Sequence, residues 1–104
     1  HSQNQMLLEF SDKLDVIGAI GTARTIAYSV LAGEPVYERP SEQFLHTGIE
    51  VEGEHHSSYH EYLFKLRRVR DRLFTESARR MADQRHMAMS AYFEQLDAEY
   101  EGIA

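Results

Sequence analysis

The sequence predicts an all-α protein, and three observations support this prediction. Apolar residues recur at three- and four-residue spacing in several segments, which is typical of helices that bury one face. Ser58 and Thr75 stand directly before two such segments, where a helix-capping hydroxyl belongs. Most glycines and both prolines fall between or after these segments. We therefore expect about three helices and one long connecting loop.

The first predicted helix runs from about Leu7 to Leu31 and ends at Gly33 and the Glu34-Pro35 step, because glycine favours helix ends and proline stops continuation. From Val16 to Ala32 the single charged residue is Arg24. A helix that is apolar or small on nearly every side is usually surrounded by others. The remaining helices are too few for this, so we expect a covering partner: an upstream half, a second subunit or a companion chain.

The rest of the chain divides into a connection over about residues 33–57 and helices over about residues 59–73 and 76–101. Connections longer than about 15 residues are usually functional loops, lids or disordered segments. Ser58-x-x-Glu61 forms a capping box before the second helix, Thr75 is the predicted N-cap of the third, and Gly102 ends it. Each helix carries one apolar stripe, formed by Tyr59, Leu63, Leu66, Val69 and Leu73 in the second and by Ala78, Met81, Ala82, Met89, Tyr92 or Phe93, Leu96 and Tyr100 in the third.

Composition limits the classes of protein to which the chain can belong. Its 104 residues, with 42% hydrophobic and 27% charged side chains, predict at most one globular domain. No apolar run reaches the ~18 residues of a membrane span and cysteine is absent, so we expect no membrane partner, no disulfide and a cytoplasmic location. A net charge of -6 argues against a nucleic-acid partner. The eight basic residues of segment 65–85 can bind phosphate, but we favour a solvated helix face.

Two acids stand one helical turn apart directly before the nearly uncharged segment. On a continuous helix Asp12 and Asp15 share a face, and an acid beside a packed core is usually paired or bound to a metal. Asp12 is therefore a candidate metal ligand, and the alternative is an acid that the helix dipole favours. Asp15 can orient Lys13 or a bound water, but we favour a capping or pairing role.

The segment from Ser11 to Arg24 reads Ser-Asp-Lys-Leu-Asp-Val-Ile-Gly-Ala-Ile-Gly-Thr-Ala-Arg. It resembles the Asp-Arg-Leu-Asp-Ala-Ile-Gly-Ala-Ile-Gly-Ile-Ala-Arg stretch of the HD-domain metal-dependent phosphohydrolases. A second block, Tyr59 to Leu66 with Leu73 to Arg79 and Ala82 to His86, is similar to the closing helices of one bacterial-type branch of that family. The resemblance implies a helical HD-type domain, of which this chain looks like the C-terminal part.

The resemblance also implies a metal site. The family holds one or more divalent metals with a His, an adjacent His-Asp pair and a distant Asp, and Asp12 matches the distant Asp. No His is followed by Asp in this sequence, so the other ligands are expected upstream of residue 1. Because a metal in such a site needs three or more protein ligands, we expect the isolated chain to be inactive.

The implied reaction is metal-assisted hydrolysis of a phosphoester, with a nucleotide or another phosphorylated small molecule as substrate. Asp12 would bind the metal. Lys13, which replaces the family's Arg, would hold a phosphate by charge without the bidentate geometry of arginine. The competing hypothesis is a non-catalytic helical interaction or regulatory module with a decayed or absent metal site, whose first helix a partner or a second copy buries.

Several other residues have two interpretations. About 18 Å of helix would separate Arg24 from Asp12, so we favour a structural ion pair over binding of a substrate tail. His56 and His60 can form a metal clamp at i,i+4 spacing, although solvated imidazoles are the favoured interpretation. For His86 we favour a hydrogen-bonded histidine that packs between helices. Glycines 18 and 21 predict the close approach of another backbone.

Overall fold

The computed structural model describes residues 14–72 and 75–103, and this part of the chain contains helices and no strand. The prediction of an all-α fold is therefore confirmed. The four α-helices and one 3₁₀-helix are α1 (Gly18–Leu31), α2 (Glu42–Thr47), α3 (Ser58–Phe64), the 3₁₀-helix (Leu66–Arg72) and α4 (Glu76–Glu101).

The predicted continuous helix from about Leu7 to Leu31 is interrupted. Its residues before 14 lie outside the described part; Leu14 and Asp15 have helical backbone, the chain then turns, and α1 begins at Gly18. The break coincides with a close contact to α4, because Gly18 has a φ of +80° and a Cβ there would lie 2.8 Å from Cβ of Arg85. A Cβ on Gly21 would lie 2.2 Å from the carbonyl carbon of Val16. Gly18 thus allows the close approach of another helix that the sequence predicted, whereas Gly21 accommodates the turn directly before its own helix.

The long connection differs from the prediction because it contains α2. Ser41 begins this short helix by accepting a hydrogen bond from the backbone N of Phe44 at 3.1 Å, and Gly48 ends it with a φ of +76°. Phe44 is buried in the core and fixes the helix against α3. The connection is therefore ordered by a cap at each end and one aromatic anchor.

The second predicted helix is shorter than expected and its cap lies one residue earlier. Ser57, and not Ser58, caps α3 by accepting a hydrogen bond from the backbone N of His60 at 3.1 Å. After Phe64 the chain continues as the 3₁₀-helix instead of an α-helix. Three residues per turn place Leu66 and Val69 on one side, and both are buried in the core.

The last helix, α4, has the predicted bounds and caps. Thr75 accepts a hydrogen bond from the backbone N of Ala78 at 3.1 Å, and Gly102 ends the helix with a φ of +76°. The core lies between α3, the 3₁₀-helix and α4, with Phe93 stacked on Tyr62 at a ring distance of 4.8 Å. Its buried hydrophobic residues are Ile17, Phe44, Tyr62, Leu63, Leu66, Val69, Ala82, Met89 and Phe93.

The described helices do not surround α1. Ile20 is 55% exposed, Val30 61% and Leu31 83%, and these side chains form the outer face of the helix. The described residues therefore leave an apolar surface uncovered, and the predicted covering partner stays a prediction. None of the helices in the described part is long and apolar enough to cross a membrane.

Candidate functional site

A cavity of about 330 Å³ lies between α1, α3 and the start of the connection. A volume of this size is at the lower end of the range for small-molecule sites. One wall is a face of α1 that carries Arg24, Thr25, Tyr28, Ser29 and Ala32. The opposite wall carries His56, Glu61, Lys65 and Leu66, while Val16 and Glu34 lie where the chain enters and leaves α1.

The α1 wall combines an aromatic ring with polar groups. Tyr28 is 62% exposed, and its hydroxyl accepts a hydrogen bond from Nη2 of Arg24 at 3.5 Å. One turn along the face, the Ser29 hydroxyl accepts a hydrogen bond from Oγ of Ser58 at 2.7 Å. This bond joins the C-terminal half of α1 to the start of α3 and closes that side of the cavity.

His56 supplies a positive charge on the opposite wall. Its Nδ1 bonds Oε1 of Glu50, and its Nε2 lies 2.9 Å from Oε2 of Glu61. Both nitrogens can donate to carboxylates only when the imidazole is protonated. Burial lowers the pKa of His56, but the hydrogen bonds and charges of the two carboxylates outweigh it, so the pKa is raised.

Glu34, one of the residues that line the cavity, has a buried carboxylate oxygen. Its Oε2 is buried and has no hydrogen-bond partner among the residues that the structure describes. The backbone of Glu34 is fixed, because its N–H donates to the carbonyl of Ser29 at 2.8 Å. Buried polar atoms are nearly always hydrogen-bonded, so this oxygen is an exception among the described residues.

His60 belongs to a buried network beside the cavity. Its Nε2 donates to Oε2 of Glu54 at 2.7 Å, and its Nδ1 lies 2.7 Å from Oγ of Ser57. The order Ser57, His60, Glu54 resembles a hydrolytic triad, but Ser57 is fully buried and its hydroxyl caps α3. The network therefore stabilises the connection. The expectation of a solvated His60 is wrong, because this side chain is fully buried.

The histidines do not form the metal clamp that their spacing allowed. All four ring nitrogens of His56 and His60 bond to Glu50, Glu61, Glu54 or Ser57. Within the described residues, no group of three His, Cys, Asp or Glu side chains is arranged to hold a metal ion.

The predicted metal ligand Asp12 and the predicted phosphate contact Lys13 both lie outside the described residues. The described segment that follows them is anchored to α4. Nη1 of Arg85 donates to the carbonyl of Leu14 at 2.8 Å and lies 3.2 Å from Oδ1 of Asp15. Asp15 thus takes the pairing role that the sequence analysis favoured, and Arg85 positions the chain two and three residues after Asp12.

Arg24 and His86 have different surroundings. Arg24 lines the cavity and bonds Tyr28, a neighbour that the sequence analysis did not single out. Nε2 of His86 lies 3.2 Å from Oγ of Ser90 in the same helix, which agrees with a hydrogen-bonded role, and its Nδ1 is buried without a partner among the described residues. Sequence reasoning missed Glu34 as a site residue. The sequence shows only a single acid after a helix, and the burial of that acid depends on residues far along the chain.

Basic residues of segment 65–85 are divided between structure and surface. Arg70 lies 3.8 Å from both Asp71 and Asp83 in exposed ion pairs, while Arg85 has the anchoring role described above. Lys65 lines the cavity. The segment is thus mostly the solvated face that was favoured, with one member at the cavity.

Comparison with known proteins places the chain beside bacterial relatives. It is 31% identical over 93 residues to the uncharacterized protein YpgQ of Bacillus subtilis, which covers 89% of this chain and 38% of YpgQ. The crystal structure of YpgQ in complex with ADP covers 92% of this chain and 44% of its own, with a TM-score of 0.69. No protein-family model matches the chain.

A second solved structure carries a functional description. The crystal structure of a Bacillus thuringiensis protein described as an HD-superfamily hydrolase is 30% identical, covers 91% of this chain and 45% of its own, and has a TM-score of 0.69. The chain thus spans less than half the length of these relatives. Over nearly its whole length, it is similar in sequence and in fold to an HD-superfamily hydrolase.

Proposed function

We propose that this chain contributes to a metal-dependent phosphohydrolase of the HD type, with a nucleotide as substrate and Asp12 as a metal ligand. The observation that carries the proposal is the likeness to the HD-superfamily hydrolase, at 30% identity over 91% of this chain. The structure of YpgQ with ADP supports a nucleotide as the ligand. The motif around Asp12 supplies the candidate ligand that such a site needs.

A divalent metal, when bound, would lower the pKa of a water molecule and stabilise negative charge on the phosphoryl oxygens. Asp12 would hold it through a carboxylate oxygen, and the ammonium group of Lys13 would attract the phosphate. Arg85 is a positioning residue in this scheme, because it ties the backbone of Leu14 and the carboxylate of Asp15 to α4.

The described residues do not supply a complete metal site. One carboxylate is too few ligands for a catalytic metal, so the proposal requires a His and a His-Asp pair from another polypeptide segment. No His-Asp pair occurs among these 104 residues. We therefore expect that the 104-residue chain alone hydrolyses no nucleotide and gains activity together with a segment that carries these ligands.

Hydrolysis by the complete protein tests the proposal. Phosphate release from a panel of nucleoside di- and triphosphates would be measured with magnesium, manganese and cobalt for the wild type, Asp12→Asn and the matched control Asp83→Asn. Asp83 is exposed and makes one long ion pair, so its substitution should leave turnover unchanged. Loss of a metal ligand should lower turnover by about 100-fold or more. Full activity of Asp12→Asn, with its metal content unchanged, would refute the assignment.

The interaction-module hypothesis also has a specific observation in its favour. The outer face of α1 exposes Ile20, Val30 and Leu31, which is typical of a surface that another polypeptide covers. A module without catalysis would assemble in a concentration-dependent manner during analytical ultracentrifugation. It would also retain no divalent metal after assembly, and this separates it from the hydrolase.

A further inference from the structure

His56 lies where the connection meets α3. Its Nδ1 bonds Oε1 of Glu50 in the turn that follows α2, and its Nε2 lies 2.9 Å from Oε2 of Glu61 in α3. The side-chain amide of Gln43 donates to the carbonyl of Glu50 at 3.3 Å, so this turn is joined to α2. His56 therefore links the turn after α2 to α3 through two side-chain contacts.

These two contacts require a charged ring. A carboxylate oxygen is an acceptor only, and a neutral imidazole has a single N–H donor. The protonated ring donates to both Glu50 and Glu61, whereas a neutral ring would direct a lone pair at one of them. The side chains of Glu50 and Glu61 are 26% and 32% exposed. A carboxylate that loses its donor in such a partly buried position is stabilised by moving toward water.

The two neighbouring histidines do not share this requirement. The ring of His55 bonds one carboxylate, that of Glu38, and one N–H donor is enough for this contact. His60 bonds Glu54 through Nε2 and a serine hydroxyl through Nδ1, and a hydroxyl can donate to the lone pair of a neutral ring. Among these three histidines, loss of a proton therefore breaks a hydrogen bond at His56 alone.

The ionisable groups around His56 come from several elements. Its ring lies 5.8 Å from that of His60 in α3. Burial lowers the pKa of His56, but the two carboxylates in direct contact outweigh it and raise this pKa above 6.5. The hydrogen bond to His56 in turn lowers the pKa of Glu50. The other ionisable residues that line the same cavity are Arg24, Tyr28, Glu34 and Lys65.

We propose that His56 is a proton-dependent clasp, whose charged ring holds the turn after α2 against α3 and whose neutral ring releases Glu50 or Glu61. His56 and Glu61 line the cavity between α1 and α3, so release changes the shape and the charge of that cavity wall. The clasp is a regulatory device of the fold, and it requires neither the metal nor the nucleotide of the proposed function.

The direction of the switch follows from proton linkage. A raised histidine pKa contributes stability that is fully present below the unfolded-state value of 6.5. This stability is lost as the pH rises through the folded-state pKa. The clasp is therefore closed in mildly acidic solution and opens as the pH rises.

An NMR titration of the 104-residue chain tests the clasp. The ring resonances of His56 and the side-chain carboxyl resonances of Glu50 and Glu61 would be followed from about pH 5 to about pH 10, a range that covers the titration of histidine. The His56 midpoint should lie above 6.5 in the wild type and fall in both Glu50→Gln and Glu61→Gln. The matched control Glu52→Gln should leave it unchanged, because Glu52 is exposed.

The carboxyl resonances distinguish a clasp from a static contact. At least one of them should shift at the midpoint of His56 in the wild type, and this shift should be absent in His56→Gln. A His56 midpoint at or below 6.5, an unchanged midpoint in either Glu50→Gln or Glu61→Gln, or carboxyl resonances that do not respond at that midpoint would each overturn the inference. Circular dichroism would verify the fold of each variant. If a glutamine variant of Glu50 or Glu61 unfolds, the carboxyl resonances of the wild type and of His56→Gln decide.

Discussion

Replacing Glu54 with glutamine should destabilise the protein strongly at neutral pH. The Glu54 side chain is 5% exposed. Its Oε2 accepts from the backbone N of Ser41 at 2.8 Å and from Nε2 of His60 at 2.7 Å. Its Oε1 accepts from the Ser41 hydroxyl at 2.6 Å and from the backbone N of Val51 at 2.9 Å. A carboxylate satisfies all four donors, because every one of its bonding positions is an acceptor.

A glutamine amide cannot satisfy all four donors. Whichever oxygen becomes an NH₂ group, the backbone N–H of Ser41 or of Val51 then faces another donor in a buried site, whereas the Ser41 hydroxyl or the His60 ring can turn into an acceptor. An unsatisfied buried donor costs about 1–3 kcal/mol, so the substitution should lower the free energy of unfolding by about 2 kcal/mol. For 104 residues this corresponds to a decrease in Tm of about 9 °C.

The pH dependence provides an independent check. Burial raises the pKa of Glu54, but the hydrogen bonds from Ser41, His60 and Val51 outweigh it and lower the pKa from 4.5 to about 2. A lowered carboxylate pKa contributes stability that is present above the unfolded-state pKa and is lost as pH falls through the folded-state pKa. The stability difference between the wild type and Glu54→Gln should therefore be constant above about pH 5 and shrink toward pH 2.

Urea denaturation followed by circular dichroism at pH 7, 5 and 3 would measure both effects. The matched control is Glu52→Gln, because Glu52 is exposed in the adjacent turn. A loss below about 1 kcal/mol at pH 7 would show that the network contributes little. A loss that does not change between pH 5 and pH 3 would refute the assignment of the charge.

Two other substitutions test the packing of α4 against its neighbours. Gly18→Ala should lower the free energy of unfolding by about 2–3 kcal/mol, because φ is +80° and the new methyl would lie 2.8 Å from Cβ of Arg85. Gly53→Ala is its control, since its φ is also positive but no described atom lies within 4 Å, and its loss should be about 1 kcal/mol. Phe93→Ala should cost about 3–5 kcal/mol because the ring is fully buried, whereas Met87→Ala, at an exposed site of the same helix, should cost less than about 0.5 kcal/mol. Similar values for either pair in thermal denaturation would contradict the packing.

Features that depend on neighbouring residues were predictable from the sequence. Thr75 caps α4 and Gly102 ends it because capping uses atoms within one turn of the chain. The predicted N-cap of α3, Ser58, is one residue too late, and the reason is a contact between Ser58 and α1. Ser57 and Ser58 offer the same hydroxyl, and Ser58 uses its own to bond Ser29 on α1. Sequence spacing alone does not distinguish two adjacent serines.

Features that depend on distant contacts were not predictable. The apolar pattern continues through Ile17 and Gly18, whereas the helix is interrupted there and Gly18 packs against Arg85 of α4. The candidate site shows the same limit. Arg24 was visible as the single charge of its segment, whereas Glu34 becomes informative only once its carboxylate is found buried without a described partner.

The spacing of the histidines in the sequence did not reveal their structural role. The sequence contains three histidines close together, His55, His56 and His60, and the connection before them contains six glutamates. In the structure His55 bonds Glu38, His56 bonds Glu50 and His60 bonds Glu54, so each imidazole ties a different part of the connection to the start of α3. Each of the three histidines is thus bonded to a glutamate of the connection.

Both the hydrolase and the interaction hypothesis require another segment to cover the outer face of α1 around Ile20. Ile20 also lines a groove together with Arg85, and Arg85 anchors the chain that follows Asp12. A segment that covers this face would therefore lie beside the anchored turn, where the missing metal ligands are required. The hypotheses differ in whether that segment carries histidines, so metal retention and assembly have to be measured on the same sample. Assembly accompanied by metal binding that Asp12→Asn removes would support the hydrolase, and assembly without metal would support the module.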